Sequence, residues 1–177
     1  MNTRLTLTLT VAVFCVACTE APVDYRVKGA ELLVPFKTNL KVALVEGMES
    51  GPIEAINACK VEAPRIAAGL SVDGVVMGRS SHKLRNPANA TPDWLAPILR
   101  GFADGSKELM PVAMALDDGR MGYAEPIIVQ PMCLTCHGEN LQPEMVALLA
   151  ESYPEDQATG FKAGDFRGVF WVEFPER

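Results

Sequence analysis

The sequence lacks a surplus of positive charge. Its 16 Lys and Arg residues against 22 Asp and Glu give a net charge of -6 at pH 7. A nucleic-acid-binding protein needs excess basic side chains to neutralise phosphates, so nucleic acid is excluded as an expected partner. The sequence also lacks an internal repeat and a low-complexity tract. With 177 residues, 49% of them hydrophobic, it is long enough for one domain with a sizeable core.

No apolar run in the N-terminal region is long enough to span a bilayer. Arg4 precedes an apolar, threonine-rich run from Leu5 to Val16, which is typical of an export signal. The run ends in Val16-Ala17-Cys18, as in bacterial lipoprotein signals, although Cys15 stands where those signals usually have an aliphatic residue. We therefore expect residues 1–17 to be a signal peptide and Cys18 to be lipidated, in a periplasmic, membrane-anchored lipoprotein. Cleavage by the ordinary signal peptidase and retention as an anchor are the alternatives.

The segment Cys133-Leu134-Thr135-Cys136-His137 carries the main chemical signal, because Cys-x-x-Cys-His is the pattern of c-type haem attachment. Each thiol adds to one haem vinyl group, and the adjacent histidine becomes the proximal iron ligand. A zinc site would need two further Cys or His ligands nearby, and a redox dithiol would open a helix in an alternating strand and helix pattern. Here the motif follows the strand-like run Pro126 to Val129. We expect one covalently bound haem.

Of the five cysteines, Cys59 is the one left without a role by the signal, the lipid site and the motif. A lone thiol in an oxidising compartment must be buried, paired between molecules or bound to something. Free cysteine is often a small core residue, whereas thiolate is also a known axial ligand of haem iron. The rival sixth ligands are four of the methionines, although scattered methionines usually fill gaps in a core. They are Met110, Met114, Met132 and Met145.

A polar segment from Ser80 to Asn89 follows a predicted strand. Arg79, Lys83 and Arg85 are candidates to contact the haem propionates, and a solvated loop is the alternative. His82 lies in the same segment, where an isolated histidine is more often polar surface than an iron ligand.

The N-terminal half predicts helices. Apolar residues recur at helical spacing from Asp24 to Met48, with Gly47 as a stop signal. A second helix follows Gly51-Pro52, and its buried stripe is predicted to contain Ile53, Ile56, Ala58 and Cys59 before Pro64 interferes. A third is capped by Thr91 and runs to Gly101.

A short strand is predicted at 75–79, and the sequence of the C-terminal half predicts a β-sheet. A hairpin joins 111–116 to 121–129 through Asp117-Asp118-Gly119, and a short helix covers 143–152. The last strand spans 166–174, and Phe166, Phe170, Val172 and Phe174 are predicted to share one of its faces. The fold class is α+β, and residues 18–177 form a single domain.

Three sequence blocks resemble a family of exported bacterial c-type haem proteins with a PAS-like fold, once classed as a domain of unknown function. They are Ala55 to Cys59 with Ala63-Pro64; Met77 to Ser81 with Lys83 to Asn89; and Cys133 to Gly138 with Tyr153 to Phe161 and Gly164 to Gly168. The resemblance implies a central antiparallel sheet with packed N-terminal helices. It also implies a haem ligated by His137 on one side and Cys59 on the other, in a family related to haem sensor domains of histidine kinases.

The resulting functional hypothesis is redox or gas sensing by an exported haem protein. Besides the haem, we expect it to bind a redox partner protein or a diatomic gas. A small periplasmic electron-transfer cytochrome is the alternative. A haem peroxidase is least favoured, because only His82 and nearby arginines offer acid-base groups, so we expect no enzyme activity.

Overall fold

The computed structural model describes residues 22–176. The predicted signal peptide and the lipidation site Cys18 lie outside this range. Within it, none of the helices combines the length and the apolar character needed to cross a membrane.

The first helix, α1 (Tyr25–Ser50), begins where the Asp24 carboxylate accepts hydrogen bonds from two N–H groups of its first turn. It ends at Gly51, whose φ of 131° suits glycine. The predicted stop at Gly47 is wrong, because the helix continues to Ser50. A Cβ at position 47 would lie 2.7 Å from the Glu54 carbonyl oxygen, so this glycine instead allows the next helix to approach closely.

The second predicted helix has three parts: α2 (Pro52–Asn57), a π-helical turn (Ala58–Glu62) and α3 (Ala63–Leu70). In the π-helical turn the N–H of Ala63 donates to the carbonyl of Ala58, five residues earlier. Pro64 therefore does not end the helical segment, because it falls in the first turn of α3, where its missing N–H is not needed. Of the predicted buried stripe, Ile53 is wrong, since 54% of it is exposed.

Four antiparallel strands form one sheet in the order β1-β4-β3-β2. They are β1 (Val76–Ser80), β2 (Val112–Ala115), β3 (Met121–Ile128) and β4 (Phe166–Phe174). The predicted hairpin is β2 and β3, with Ala115 opposite Met121. The strand nearest the C-terminus is therefore central in the sheet, between β1 and β3.

Helices cover both faces of the sheet. On one face Leu33, Phe36 and Leu40 of α1 pack against Tyr123, Val172 and Phe174. On the other, Ile98, Leu99 and Phe102 of α4 (Ala96–Ala103) pack against Ala124 and Val169. The predicted α+β class, with N-terminal helices packed on a central antiparallel sheet, is confirmed and is consistent with a PAS-like fold.

A β-bulge interrupts the pairing of β3 with β4. Ile127 pairs with Gly168 and Ile128 with Phe166, so Arg167 is the extra residue. The prediction that Phe166 shares a face with Phe170 is wrong, because Phe166 packs in the α4 cluster whereas Phe170 packs in the α1 cluster. One extra residue shifts the alternation of side chains by one position.

The remaining elements are a short turn before α4 and the helical segments that carry and follow the motif. A 3₁₀ turn (Asp93–Leu95) precedes α4, and Thr91 does not cap it as predicted, since its hydroxyl lies 2.6 Å from the Ser80 hydroxyl instead. After β3 come a 3₁₀ turn (Pro131–Cys133), the single-turn helix α5 (Leu134–His137) and α6 (Pro143–Ser152).

Candidate functional site

A cleft opens between the C-terminal half of α1, the π-helical turn and one end of the sheet. Its apolar wall includes Leu40, Leu44, Ile56, Ile127 and Phe170. It encloses about 1140 Å³ of empty space, the open mouth included. The cleft is therefore an apolar groove that is open to solvent on one side.

The Cys-x-x-Cys-His motif lies in this cleft. The 3₁₀ turn and α5 bring Cys133, Cys136 and His137 to its lining, and both thiols are free and half-buried. Within residues 22–176, no three or more His, Cys, Asp or Glu side chains are grouped closely enough to hold a metal ion. The motif therefore lines an apolar cleft, and within residues 22–176 its side chains do not form a compact zinc-type cluster.

The His137 ring has a defined orientation. Its Nδ1 lies 2.6 Å from the carbonyl oxygen of Ala158, and because a carbonyl only accepts, Nδ1 carries the proton. Burial, helped by the charges of Arg167 and Arg85, lowers the pKa of His137 to about 2. The imidazole is therefore neutral, with Nε2 left as the lone-pair nitrogen, which is the form that binds a metal.

The backbone at the histidine and at the residue after it is hydrogen-bonded to a distant loop. The N–H of Phe161 donates to the carbonyl of His137 at 2.9 Å, and the N–H of Gly160 donates to the carbonyl of Gly138 at 3.0 Å. These bonds hold the motif turn against residues 153–161, so the histidine position does not depend on α5 alone.

Cys59 lines the same cleft from the π-helical turn and is half-buried. Beside it, Tyr153 packs with Ile56 of α2 and Leu149 of α6. Burial raises the pKa of Tyr153 to about 12, and the electrostatic interaction with Cys59 is the next cause. Cys59 is thus a cleft residue and not a fully enclosed core side chain.

The rival methionines differ in position. Met132 lines the cleft. Met145 is a buried core residue whose sulfur lies 3.8 Å from the Cys136 sulfur. Met110 and Met114 are 49% and 37% exposed and do not line the cleft.

The three basic residues predicted to contact the haem propionates differ in position and in partners. Arg79 lines the cleft, and within the described part of the chain its guanidinium has no carboxylate partner. Arg85 lines it too but is buried in an ion pair with Asp156. Lys83 is not among the lining residues: its ammonium lies 4.9 Å from the centre of the Phe161 ring. His82 is also outside the cleft lining, stacked on Phe166 with ring centres 5.4 Å apart.

Arg167 is a cleft residue that the sequence reasoning missed. As the extra residue of the β-bulge it lines the cleft, and its guanidinium donates to the Ser81 hydroxyl at 2.7 Å. Burial and the nearby charges of Arg85 and Arg79 lower its pKa to about 10. The available signal was Gly168, since a glycine inside an alternating strand often marks a bulge.

Comparison with known proteins gives a family and a related structure. The Tll0287-like family (Tll0287) matches residues 33–175, a range that contains every residue lining the cleft. The crystal structure of the cyanobacterial heme-protein Tll0287 is similar to this chain, with 26% sequence identity and a TM-score of 0.66. The match covers 84% of this chain and 92% of that chain. No curated protein matches. This chain therefore belongs to the Tll0287-like family.

Proposed function

We propose that this chain carries one covalent c-type haem, with Cys133 and Cys136 as the thioether cysteines, His137 as proximal ligand and Cys59 as sixth ligand. The observation that carries the proposal is the neutral His137, whose Nδ1–H is bonded to Ala158 while its ring lines the cleft with the three cysteines. The similarity to a haem protein supports the same cofactor class.

The side chains of the cleft fit the chemistry of a haem. Apolar walls suit a porphyrin face, and two thiols next to a histidine suit covalent attachment. Arg79 and Arg167 supply positive charge for the two propionates, since neither has a carboxylate partner within residues 22–176. Lys83 is not among the residues that line the cleft, and Arg85 is held by Asp156 and backbone carbonyls, so we assign neither to a propionate.

The proposed role is redox or gas sensing. A bound haem would supply reversible one-electron chemistry and an affinity for diatomic gases. Cys59 is placed to couple the cleft to the fold, because its π-helical turn connects α2, which packs on α6, to α3, which packs on β1. A displacement of Cys59 would therefore move α2 and α3, and through α3 it would reach the edge strand β1.

The cofactor assignment is tested by producing the protein in a bacterial host that attaches c-type haem. Mass spectrometry of the denatured wild type should show the mass of one added haem. The Cys133→Ala/Cys136→Ala double variant should lose it, and Cys59→Ala should keep it. A wild type without added haem would overturn the assignment.

Electron carriage is the second candidate function. Cys133 and Cys136 are both partly exposed, so the attachment side of the cleft lies near the surface, as a carrier requires. Carbon monoxide and nitric oxide separate the two roles. A sensor is expected to bind one of them with a change in its visible spectrum, whereas a carrier with two fixed ligands should show no change.

We propose no catalytic activity. A peroxidase would need an acid-base group beside the cofactor, and His82 is stacked on Phe166 outside the cleft lining. We further propose an exported, lipid-anchored protein whose partners are a redox protein or a diatomic gas.

A further inference from the structure

Arg85 is held by protein groups only a short distance from the motif. It is 8% exposed, and its Nε donates to Asp156 Oδ2 at 3.0 Å. Its Nη2 donates to two carbonyl oxygens, that of Cys136 at 2.5 Å and that of Ala158 at 3.1 Å. The other oxygen of Asp156 accepts from the N–H of Ala158 at 2.7 Å. Arg85 and Asp156 together therefore fix both polar groups of the Ala158 backbone.

The two carbonyls that Arg85 holds are the ones that determine where His137 points. The Ala158 oxygen also accepts the Nδ1–H of His137 at 2.6 Å, so one acceptor is shared by the histidine and the arginine. The Cys136 carbonyl belongs to the peptide bond that enters His137. The Arg85 guanidinium therefore contacts both the carbonyl that orients the His137 ring and the carbonyl next to the His137 backbone N–H.

We propose that Arg85 is a positioning residue for His137, with Asp156 orienting its guanidinium, and that it is not a propionate ligand. This inference rests on the proposed function, in which His137 binds iron. A hydrogen bond from the second ring nitrogen sets the orientation and donor strength of a ligating histidine. A planar guanidinium can reach Asp156 and two carbonyls at once, whereas the point charge of a lysine cannot.

The test compares haem-loaded wild type with Arg85→Lys, which keeps the charge and loses the planar set of donors. Arg65→Lys is the matched control, because Arg65 is exposed and its ion pair within residues 22–176 is with Glu62, three residues away. The readouts are the ferric electron paramagnetic resonance spectrum and the reduction potential. We expect Arg85→Lys to shift and broaden the spectrum and to change the potential, while Arg65→Lys matches the wild type.

The outcomes separate the two proposals. A haem-loaded wild type whose spectrum and potential are reproduced by Arg85→Lys overturns the positioning role and leaves the cofactor assignment standing. A wild type without haem overturns the cofactor assignment and this inference with it. If Arg85→Lys does not accumulate as folded protein, Asp156→Asn takes its place. It keeps Arg85 but removes its orienting carboxylate, and the same shift and broadening are expected, with an unchanged spectrum counting against the proposal.

Discussion

Cys59 is the cleft residue whose role depends least on a local sequence pattern. Its sequence block, Ala55 to Cys59, indicates a role only through the family resemblance, and the fold places Cys59 in the same cleft as His137. Thiolate ligation gives low-spin ferric haem a characteristic paramagnetic resonance spectrum. We expect Cys59→Ala to lose that spectrum while keeping the covalent haem, because a methyl side chain cannot donate to iron.

Met132 provides the control for that experiment, because it is the one of the four rival methionines that lines the cleft. Met132→Leu conserves size and removes the thioether, so its spectrum should match that of the wild type. A Cys59→Ala spectrum identical to the wild type, together with an altered Met132→Leu spectrum, would make Met132 the sixth ligand.

The motif residues could be predicted from sequence because all three lie within five consecutive residues, Cys133 to His137, in the order that haem attachment requires. The partners of Arg85 could not, since Cys136 and Asp156 are 51 and 71 positions away and only tertiary packing brings them to it. The basic character of the cleft was therefore predicted, but the assignment of each basic side chain to a partner was not.

The β-bulge between β3 and β4 gives a prediction for stability. A Cβ at Gly168 would lie 2.3 Å from the Ser80 carbonyl oxygen, and the φ of this residue is 155°. Gly168→Ala must push β1 and β4 apart, so we expect a loss of about 2 kcal/mol or more in the free energy of unfolding, at the upper part of the range for overpacked sites. Urea denaturation of the purified protein measures it.

Gly69 is the matched control. It lies in α3, and a Cβ there would meet no atom within 4 Å. Gly69→Ala is expected to raise the free energy of unfolding by roughly 0.5–1 kcal/mol, because alanine loses less backbone freedom in a helix. Equal effects of the two substitutions would contradict the importance of the bulge.

Regular elements were predictable where a pattern repeats within one segment, as in α1, α6 and the β2–β3 hairpin. The bulge at Arg167 and the bonding of Thr91 to Ser80 arise from contacts between segments. Periodicity carries no information about these contacts. Arg167, which the bulge brings into the cleft, is for this reason the site residue that the sequence did not predict. Cys59 was expected as the sixth ligand from the family resemblance and not from periodicity.

We expect attachment of the whole protein to a membrane to depend on Cys18, because the apolar run ends in Val16-Ala17-Cys18, as in bacterial lipoprotein signals. Cys18→Ala should move the protein from the membrane fraction to the soluble periplasmic fraction. Cys15→Leu, which brings the signal closer to the usual lipoprotein pattern, should leave it in the membrane fraction. Recovery of Cys18→Ala in the membrane fraction would favour an uncleaved anchor.

The central position of β4 has a consequence for the order of assembly. β1 and β3 do not pair with each other, and both pair with β4, which lies between them in the sheet. Because β4 is the last strand in the sequence, these two pairings can form only after it has been synthesised. Contacts of such long sequence separation form slowly. On the export route that we propose, the chain would pass through an interval in which Cys133 and Cys136 have emerged but the cleft has not closed around them, and the proposed haem attachment could take place in that interval.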